Sequence, residues 1–230
     1  MNRAHVSQTY DASAEAYQDS PIGGNNEIQK AMLEHFLHFL APKSRVMDLG
    51  CGSGANAKTI RESHALRRVT GLDISTEMLR RAQITAPECK FLHRDIRTVS
   101  YPENAYDAAV VASVSIHLDE DELVGLIQNI SKALIPDGLL FLNFWTGDYS
   151  GFKRLDFASR PMMVCYHDEP FLLKLMRSCS FAQLRAKRFQ RTIETGYGPE
   201  TITETYYFGH LLKDRRAIDI LPSNVTAPFI

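Results

Sequence analysis

The run Val46-Met47-Asp48-Leu49-Gly50-Cys51-Gly52-Ser53-Gly54 constrains this chain more than any other stretch. Two apolar residues lead into an acid and a leucine, and glycine then recurs at every second position. The pattern predicts a strand that ends in a loop almost without side chains. Glycine has no Cβ, so such a loop lets a ligand approach the backbone closely. The helix expected next aims its first N–H groups into the same space. A small, polar, adenosine-like ligand is expected there.

Spacing and charge narrow the choice of ligand. The dinucleotide fingerprint is G-x-G-x-x-G, whereas Gly50, Gly52 and Gly54 give G-x-G-x-G with Ala55 next. Asp48 sits inside the end of the strand, where a carboxylate repels a pyrophosphate and attracts a cation. S-adenosylmethionine carries an ammonium and a sulfonium and no phosphate. Asp73 lies 23 residues beyond Gly50, close to the roughly 20-residue offset of an acid that accepts hydrogen bonds from ribose hydroxyls. NAD enzymes share that offset, and an acid at a helix N-terminus, stabilised by the dipole, is the plainer alternative.

Periodicity organises the remainder. Ile28, Ala31, Met32, His35, Phe36, Phe39 and Leu40 recur at helical spacing over residues 26–40, with Pro42 beyond the end. Strands are then expected at 45–49, 68–73, 90–93, 106–112 and 139–145, with helices at 55–63, 76–86 and 120–134. Ser75 is placed to cap the helix that carries Met78. Strands alternating with helices predict an α/β fold with a parallel sheet and helices on both faces. Residues 146–166 show no clear element but are rich in aromatics, among them Tyr149, Phe152, Phe157 and Tyr166. A helix at 168–179 and two strand-like runs, 181–193 and 203–212, complete the pattern. In such sheets ligands bind beyond the carboxyl ends of the strands. Asp48, Asp73 and Asp95 all lie at or near such ends.

Five ordered segments resemble the motifs of the class I, Rossmann-like S-adenosylmethionine-dependent methyltransferases of small-molecule type. They are 46–54, Val69-Thr70-Gly71-Leu72-Asp73-Ile74-Ser75, Phe91-Leu92-His93-Arg94-Asp95-Ile96, Tyr106-Asp107-Ala108-Ala109-Val110-Val111-Ala112-Ser113 and Leu134-Ile135-Pro136-Asp137-Gly138-Leu139-Leu140. The resemblance covers roughly residues 45–145 and loosens on both flanks. It implies a doubly wound, seven-stranded, mostly parallel sheet with an antiparallel last strand, in a single domain over residues 1–230. Within it, 1–42 would form a lid and helix, 43–145 the cofactor-binding core, 146–166 an acceptor-side insertion and 167–230 the closing helix and strands.

The same resemblance implies a set of cofactor-binding residues. Gly50, Cys51 and Gly52 would form the loop, and Asp48 would orient the ammonium through the loop or a water. Asp73 would bind ribose, Ile74 and Met78 would pack on the adenosine faces, and Asp95 with Ile96 would meet adenine. Ala112 ends the fourth strand beside the crevice, and Tyr17, ahead of Tyr10, would close a lid over the methionine end. A lid that excludes water strengthens electrostatics and orients reactants. For Met78 the plainer reading is helix core, and for the tyrosines an amphipathic surface turn.

His117, in Ile116-His117-Leu118, is the candidate catalytic residue. A histidine there can take a proton from an acceptor near neutral pH. The alternative is a structural histidine that ties the loop to the next helix. Metal-dependent catechol-type relatives place acids after the fourth strand, where this chain has Ala112, Ser113 and Ser115, so no metal is expected. The Asn/Asp-Pro-Pro-aromatic motif of amino-methylating nucleic-acid enzymes is missing from that place.

The expected activity is methyl transfer to an O or N atom of a small molecule by in-line displacement, mainly through proximity and orientation. A protein or RNA acceptor, or a cofactor-binding protein without turnover, are the other readings.

Composition bounds the partners. Lys and Arg number 26 against 27 acids, a net charge of -1, so no general attraction to nucleic acid is expected. Arg67-Arg68, Arg80-Arg81 and Lys213-Asp214-Arg215-Arg216 read as solvated faces. Four scattered cysteines lack C-x-x-C spacing and fit reduced thiols of a cytoplasmic protein. No signal peptide or membrane-spanning run is visible. Asn224-Val225-Thr226 fits a glycosylation sequon by chance. A monomer or homodimer is expected.

Overall fold

The computed structural model of the chain describes residues 3–24 and 26–212. The basic run 213–216 and the sequon at Asn224 lie outside the described residues. In chain order the elements are α1 (Arg3–Asp19), α2 (Glu27–Leu37), β1 (Arg45–Leu49), α3 (Ala55–Ser63), β2 (Arg68–Asp73), α4 (Thr76–Thr85), β3 (Lys90–His93) and β4 (Tyr106–Val111). A single 3-10 turn (Ser115–His117) leads into α5 (Glu120–Ala133), β5 (Leu134–Thr146), β6 (Ser150–Lys153), β7 (Met162–Cys165), α6 (Glu169–Ser178), β8 (Phe181–Thr195) and β9 (Gly198–Leu211).

The main sheet has seven strands in the order β3-β2-β1-β4-β5-β9-β8. β1 to β5 pair in parallel, and β9 runs antiparallel to both β5 and β8. The strand order therefore reverses between β1 and β4, which opens a crevice at their carboxyl ends. Residues of β4 from Ala108 to Val111 are wholly buried, as expected of a strand covered on both faces.

The alternation along each strand divides the core in two. Met47, Leu49, Ala109, Val111, Leu140 and Leu142 face α5 and α6, while Val46, Ala108, Val110, Phe141 and Phe208 face α2 and α3. Local signals set the helix starts. Ser75 Oγ accepts from Met78 N–H at 3.1 Å, and Asp119 with Glu122 forms a capping box on α5. Asp168 caps α6.

Several stretches depart from the sequence expectation. Residues 1–25, expected as a polar lid segment, contain the 17-residue helix α1. Its inner stripe is Val6, Thr9, Tyr10, Ser13, Ala14 and Tyr17, a helical spacing hidden because half of it is polar. Residues 146–166 form the β6–β7 hairpin, whose Met162 and Val164 join Trp145, Leu155, Phe157, Ile193 and Ile202 in a third apolar cluster. β5 begins five residues early, at Leu134 rather than 139, with a register shift opposite Tyr106 and Ala108. α2 ends at Leu37, short of the expected 40, and β8 and β9 extend to meet at a tight turn.

Phe141 is fully buried and packs on Phe36 and Phe208, each at 5.5 Å between ring centres. Phe141→Ala should cost about 3–5 kcal/mol, read as a shift of the urea midpoint at constant slope. A loss below about 1 kcal/mol would contradict this packing.

Candidate cofactor and acceptor site

A cavity opens beyond the carboxyl ends of β1, β2, β3 and β4. Gly50 and Gly52 form its floor, Asp73, Ile74, Asp95 and Ile96 one wall, and Ala112, Val114, His117 and Leu118 another. Val6, Tyr10 and Tyr17 of α1 roof it.

Gly50 is required by space and backbone together. Its φ is +70, and a Cβ there would meet Val114 Cγ2 at 2.6 Å. At Gly52 (φ +51) a Cβ would lie 3.5 Å from the Tyr17 ring. The tyrosine ring therefore lies against the glycine loop.

Asp73 is held in a fixed orientation. One carboxylate oxygen accepts from Gly52 N–H at 2.8 Å and the other from Ser75 N–H at 2.9 Å. A carboxylate offers about four lone-pair sites, so capacity remains on the cavity side. Burial raises its pKa and the backbone donors pull it back.

Asp95 reaches the cavity already gripped by Arg97, with Nε and Nη2 each 2.9 Å from a carboxylate oxygen. Arg97 also donates to Glu122 at 3.0 Å. This fork lies across the place where the resemblance puts an adenine contact.

Asp48, Cys51 and Met78 do not line the cavity. Cys51 lies beside the loop, buried. Met78 is 1% exposed, in the α4 core. Asp48 is fully buried, and among the described residues neither of its carboxylate oxygens has a hydrogen-bond partner. Burial, then the charge of Asp73, pushes its carboxyl up to about 7. An orphaned buried acid costs free energy unless a cation or donor meets it.

His117 is 5% exposed. Its Nδ1–H donates to the Met163 carbonyl at 3.0 Å. A carbonyl only accepts, so Nε2 carries the lone pair, and it accepts from the Tyr10 hydroxyl at 2.7 Å. Burial lowers the His117 pKa to about 4, with Arg97 adding to the effect. Tyr10 also packs edge-on to Tyr17 at 5.6 Å and tilted on Phe157 at 5.7 Å.

α1 is tied to both sides of the cavity. Ser7 Oγ donates to Ile74 O at 3.2 Å, and Asp11 accepts from Ser75 Oγ at 2.6 Å and Glu77 N–H at 3.1 Å. On the insertion side, Ser159 N–H donates to Ser13 Oγ at 3.0 Å and Ser20 Oγ to Asp156 at 2.9 Å.

Sequence reasoning missed Val6, Arg94 and Arg97 as lining residues. Arg97 had a legible signal, a basic residue two positions from Asp95. Val6 had none, because its helix was hidden. Among the described residues, no group of three or more His, Cys, Asp or Glu side chains is placed to hold a metal. No described helix is long and apolar enough to cross a membrane.

Fold and cavity together define an open α/β domain with a crevice at the carboxyl ends of its central parallel strands. Residues 46–138 match the family described as a methyltransferase domain. The chain is 34% identical over 97 residues to a trans-aconitate 2-methyltransferase of Enterobacter sp. (strain 638), a match covering 42% of this chain and 37% of that one. It is 31% identical over 121 residues to a trans-aconitate 2-methyltransferase of Escherichia coli O157:H7, covering 46% and 47%. The matched region thus spans less than half the length of these curated relatives. Among solved structures, the 1,6-didemethyltoxoflavin-N1-methyltransferase of Burkholderia thailandensis, with 1,6-didemethyltoxoflavin and S-adenosylhomocysteine bound, aligns at TM-score 0.68 and 18% identity over 92% of this chain and 87% of that one. A methyltransferase of Methanosarcina mazei aligns at TM-score 0.65 and 20% identity, covering 77% and 96%. Residues 46–138 thus carry a methyltransferase-type domain, and the fold around them is that of the Rossmann-like methyltransferases.

The His117 arrangement has a measurable consequence. Its folded pKa of about 4 lies below the ordinary 6.5, so the unfolded chain binds the extra proton between those values. Stability present above pH 6.5 should fall by about 3 kcal/mol as pH drops through 4, and His117→Asn should remove that share of the acid loss. Nitrogen NMR at pH 7 should show His117 neutral with its proton on Nδ1; a charged ring would contradict the geometry.

Proposed function

We propose that the protein moves a methyl group from S-adenosylmethionine to a small-molecule acceptor, chiefly by holding donor and acceptor together. The orphaned Asp48 carboxylate beside the glycine loop is the observation that carries this reading. A buried acid without a partner suits a cationic ligand, and the domain match supports the adenosyl kind. The names of the relatives, trans-aconitate and 1,6-didemethyltoxoflavin methyltransferases, support an acceptor of small-molecule size.

Bound in this cavity, the cofactor supplies a methyl group activated by positive sulfur. The chain supplies position. Gly50 and Gly52 allow close approach, Asp73 accepts from ribose hydroxyls, and Asp48, which does not line the cavity, acts on the ammonium through the loop or a water. Ile74 and Ile96 flank the adenosyl end, and Asp95 is oriented there by Arg97. Tyr17 covers the loop and excludes water. Residues 1–42 act as lid and residues 146–166 as acceptor-side wall.

Two charge-assisted hydrogen bonds at about 1.5–3 kcal/mol each predict that Asp73→Ala weakens S-adenosylhomocysteine at least roughly 100-fold. Calorimetry checks this, and unchanged affinity would overturn the assignment. Asp48 adds a pH signature. Its carboxyl titrates near 7 in the free protein, and a bound ammonium favours the ionised form. Binding at pH 6–7 should therefore release a proton, and affinity should rise with pH through 7. Asp48→Asn should abolish both, as seen in the buffer dependence of the binding heat.

A further inference from the structure

We propose that the acceptor is an uncharged, flat molecule that presents one hydroxyl or ring N–H to Tyr10, with His117 behind it as proton acceptor. This rests on the methyltransferase reading above and names the substrate class of the same cavity.

The walls carry the argument. The surfaces away from the Asp73–Asp95 side are mostly ring and branched aliphatic groups, Val6, Tyr10, Tyr17, Val114 and Leu118, with Ser113 and His117 as the polar side chains among them. Phe157 backs both tyrosines, with its ring 5.0 Å from that of Tyr17. Such surfaces suit a planar ring, which buries much apolar area at little cost in internal freedom.

Charge points the same way. The cationic side chains among the described lining residues are Arg94 and Arg97. Arg97 is already matched by Asp95 and Glu122. Arg94 leaves from the end of β3, at the sheet edge, where its Nη1 donates to the His93 carbonyl at 2.8 Å. That edge lies three strand spacings, about 14 Å, from the end of β4. A polycarboxylate needs bidentate cations around it, and here it would meet the Asp73 carboxylate instead. The family match ends at residue 138 and begins at 46, so α1 and the β6–β7 hairpin, which shape this side, lie outside it.

The polar pair fits one protic group. Met163 O fixes the His117 tautomer, Nε2 accepts from Tyr10, and the tyrosine oxygen retains lone pairs for an acceptor's O–H or N–H. In the transfer, the acceptor lone pair forms the new bond to the methyl carbon, and the C–S bond breaks with its electrons left on sulfur. The acceptor's proton passes to the Tyr10 oxygen as Tyr10 gives its own to His117 Nε2. The imidazole is a weak base, so it takes the proton as the new bond forms and leaves the free acceptor neutral.

The test uses the full-length protein loaded with S-adenosylhomocysteine, followed by ligand-detected NMR and calorimetry. The probes are 1-naphthol, indazole and their ring-substituted analogues, against trans-aconitate. The same probes are then incubated with S-adenosylmethionine and weighed for an added methyl group. The uncharged rings should bind and gain the methyl, and trans-aconitate should do neither. Tyr10→Phe should weaken probe binding about tenfold, and His117→Asn should lower kcat by roughly 100-fold. Both should hold S-adenosylhomocysteine within about threefold of the parent affinity. Methylation of trans-aconitate, failure of all the ring probes to bind the loaded protein, or an unchanged kcat in His117→Asn would overturn the proposal. Failure to bind S-adenosylhomocysteine itself would instead remove the methyltransferase reading beneath it.

Discussion

The bond from Gly52 N–H to the Asp73 carboxylate, 2.8 Å long, ties the end of β1 to the end of β2, and much of the site hangs from it. It sets the path of the glycine loop. The other Asp73 oxygen accepts from Ser75 N–H, and Ser75 in turn caps α4 and donates to Asp11 of α1. One carboxylate thus organises the loop, the helix start and the roof. It does so with Asp48 buried nearby and, among the described residues, without a hydrogen-bond partner of its own. Two acids close together in a poorly solvated place are a standing cost, which a cationic ligand would relieve.

The roof and the far wall are built by elements outside the sheet. α1 spans from Ile74 and Ser75 on one side to Ser159 and Asp156 on the other. A second chain of polar contacts supports the wall after β4. Ser113, at φ +57, donates its N–H to Asn143, which donates to Glu204 at 2.8 Å. Glu204 pairs with Arg191 at 2.9 Å, and Arg191 donates to the Pro21 carbonyl at 2.7 Å. The cavity wall and the turn between α1 and α2 are thereby joined through buried groups on β5, β9 and β8. Such networks hold one geometry firmly when every member is satisfied.

The central sheet was legible because its signals are local and redundant. β1, α3, β2 and β3 lie where strand pattern, glycine loop and Ser75 cap place them. The placement of Asp73 and Asp95 at the crevice follows from strand ends alone, whereas Asp48, inside β1, does not line it. α1 was not legible, since Thr9 and Ser13 are buried on its inner face and erase the apolar period. The early part of β5 was hidden by Pro136 and Gly138, which read as a turn although the strand runs through them. The β6–β7 hairpin depends on contacts with Trp145, Ile193 and Ile202, remote in sequence. Nor does sequence spacing show that Asp95 is already gripped by Arg97, or that Met78 points into the core.

On the proposed function, the crevice at β1 and β2 receives an adenosyl cation rather than a pyrophosphate dinucleotide. Parallel calorimetric titrations of the full chain with S-adenosylmethionine, S-adenosylhomocysteine and NADH test this directly. The account predicts saturable binding of the first two and none of NADH. Binding of NADH with neither adenosyl ligand bound would contradict it.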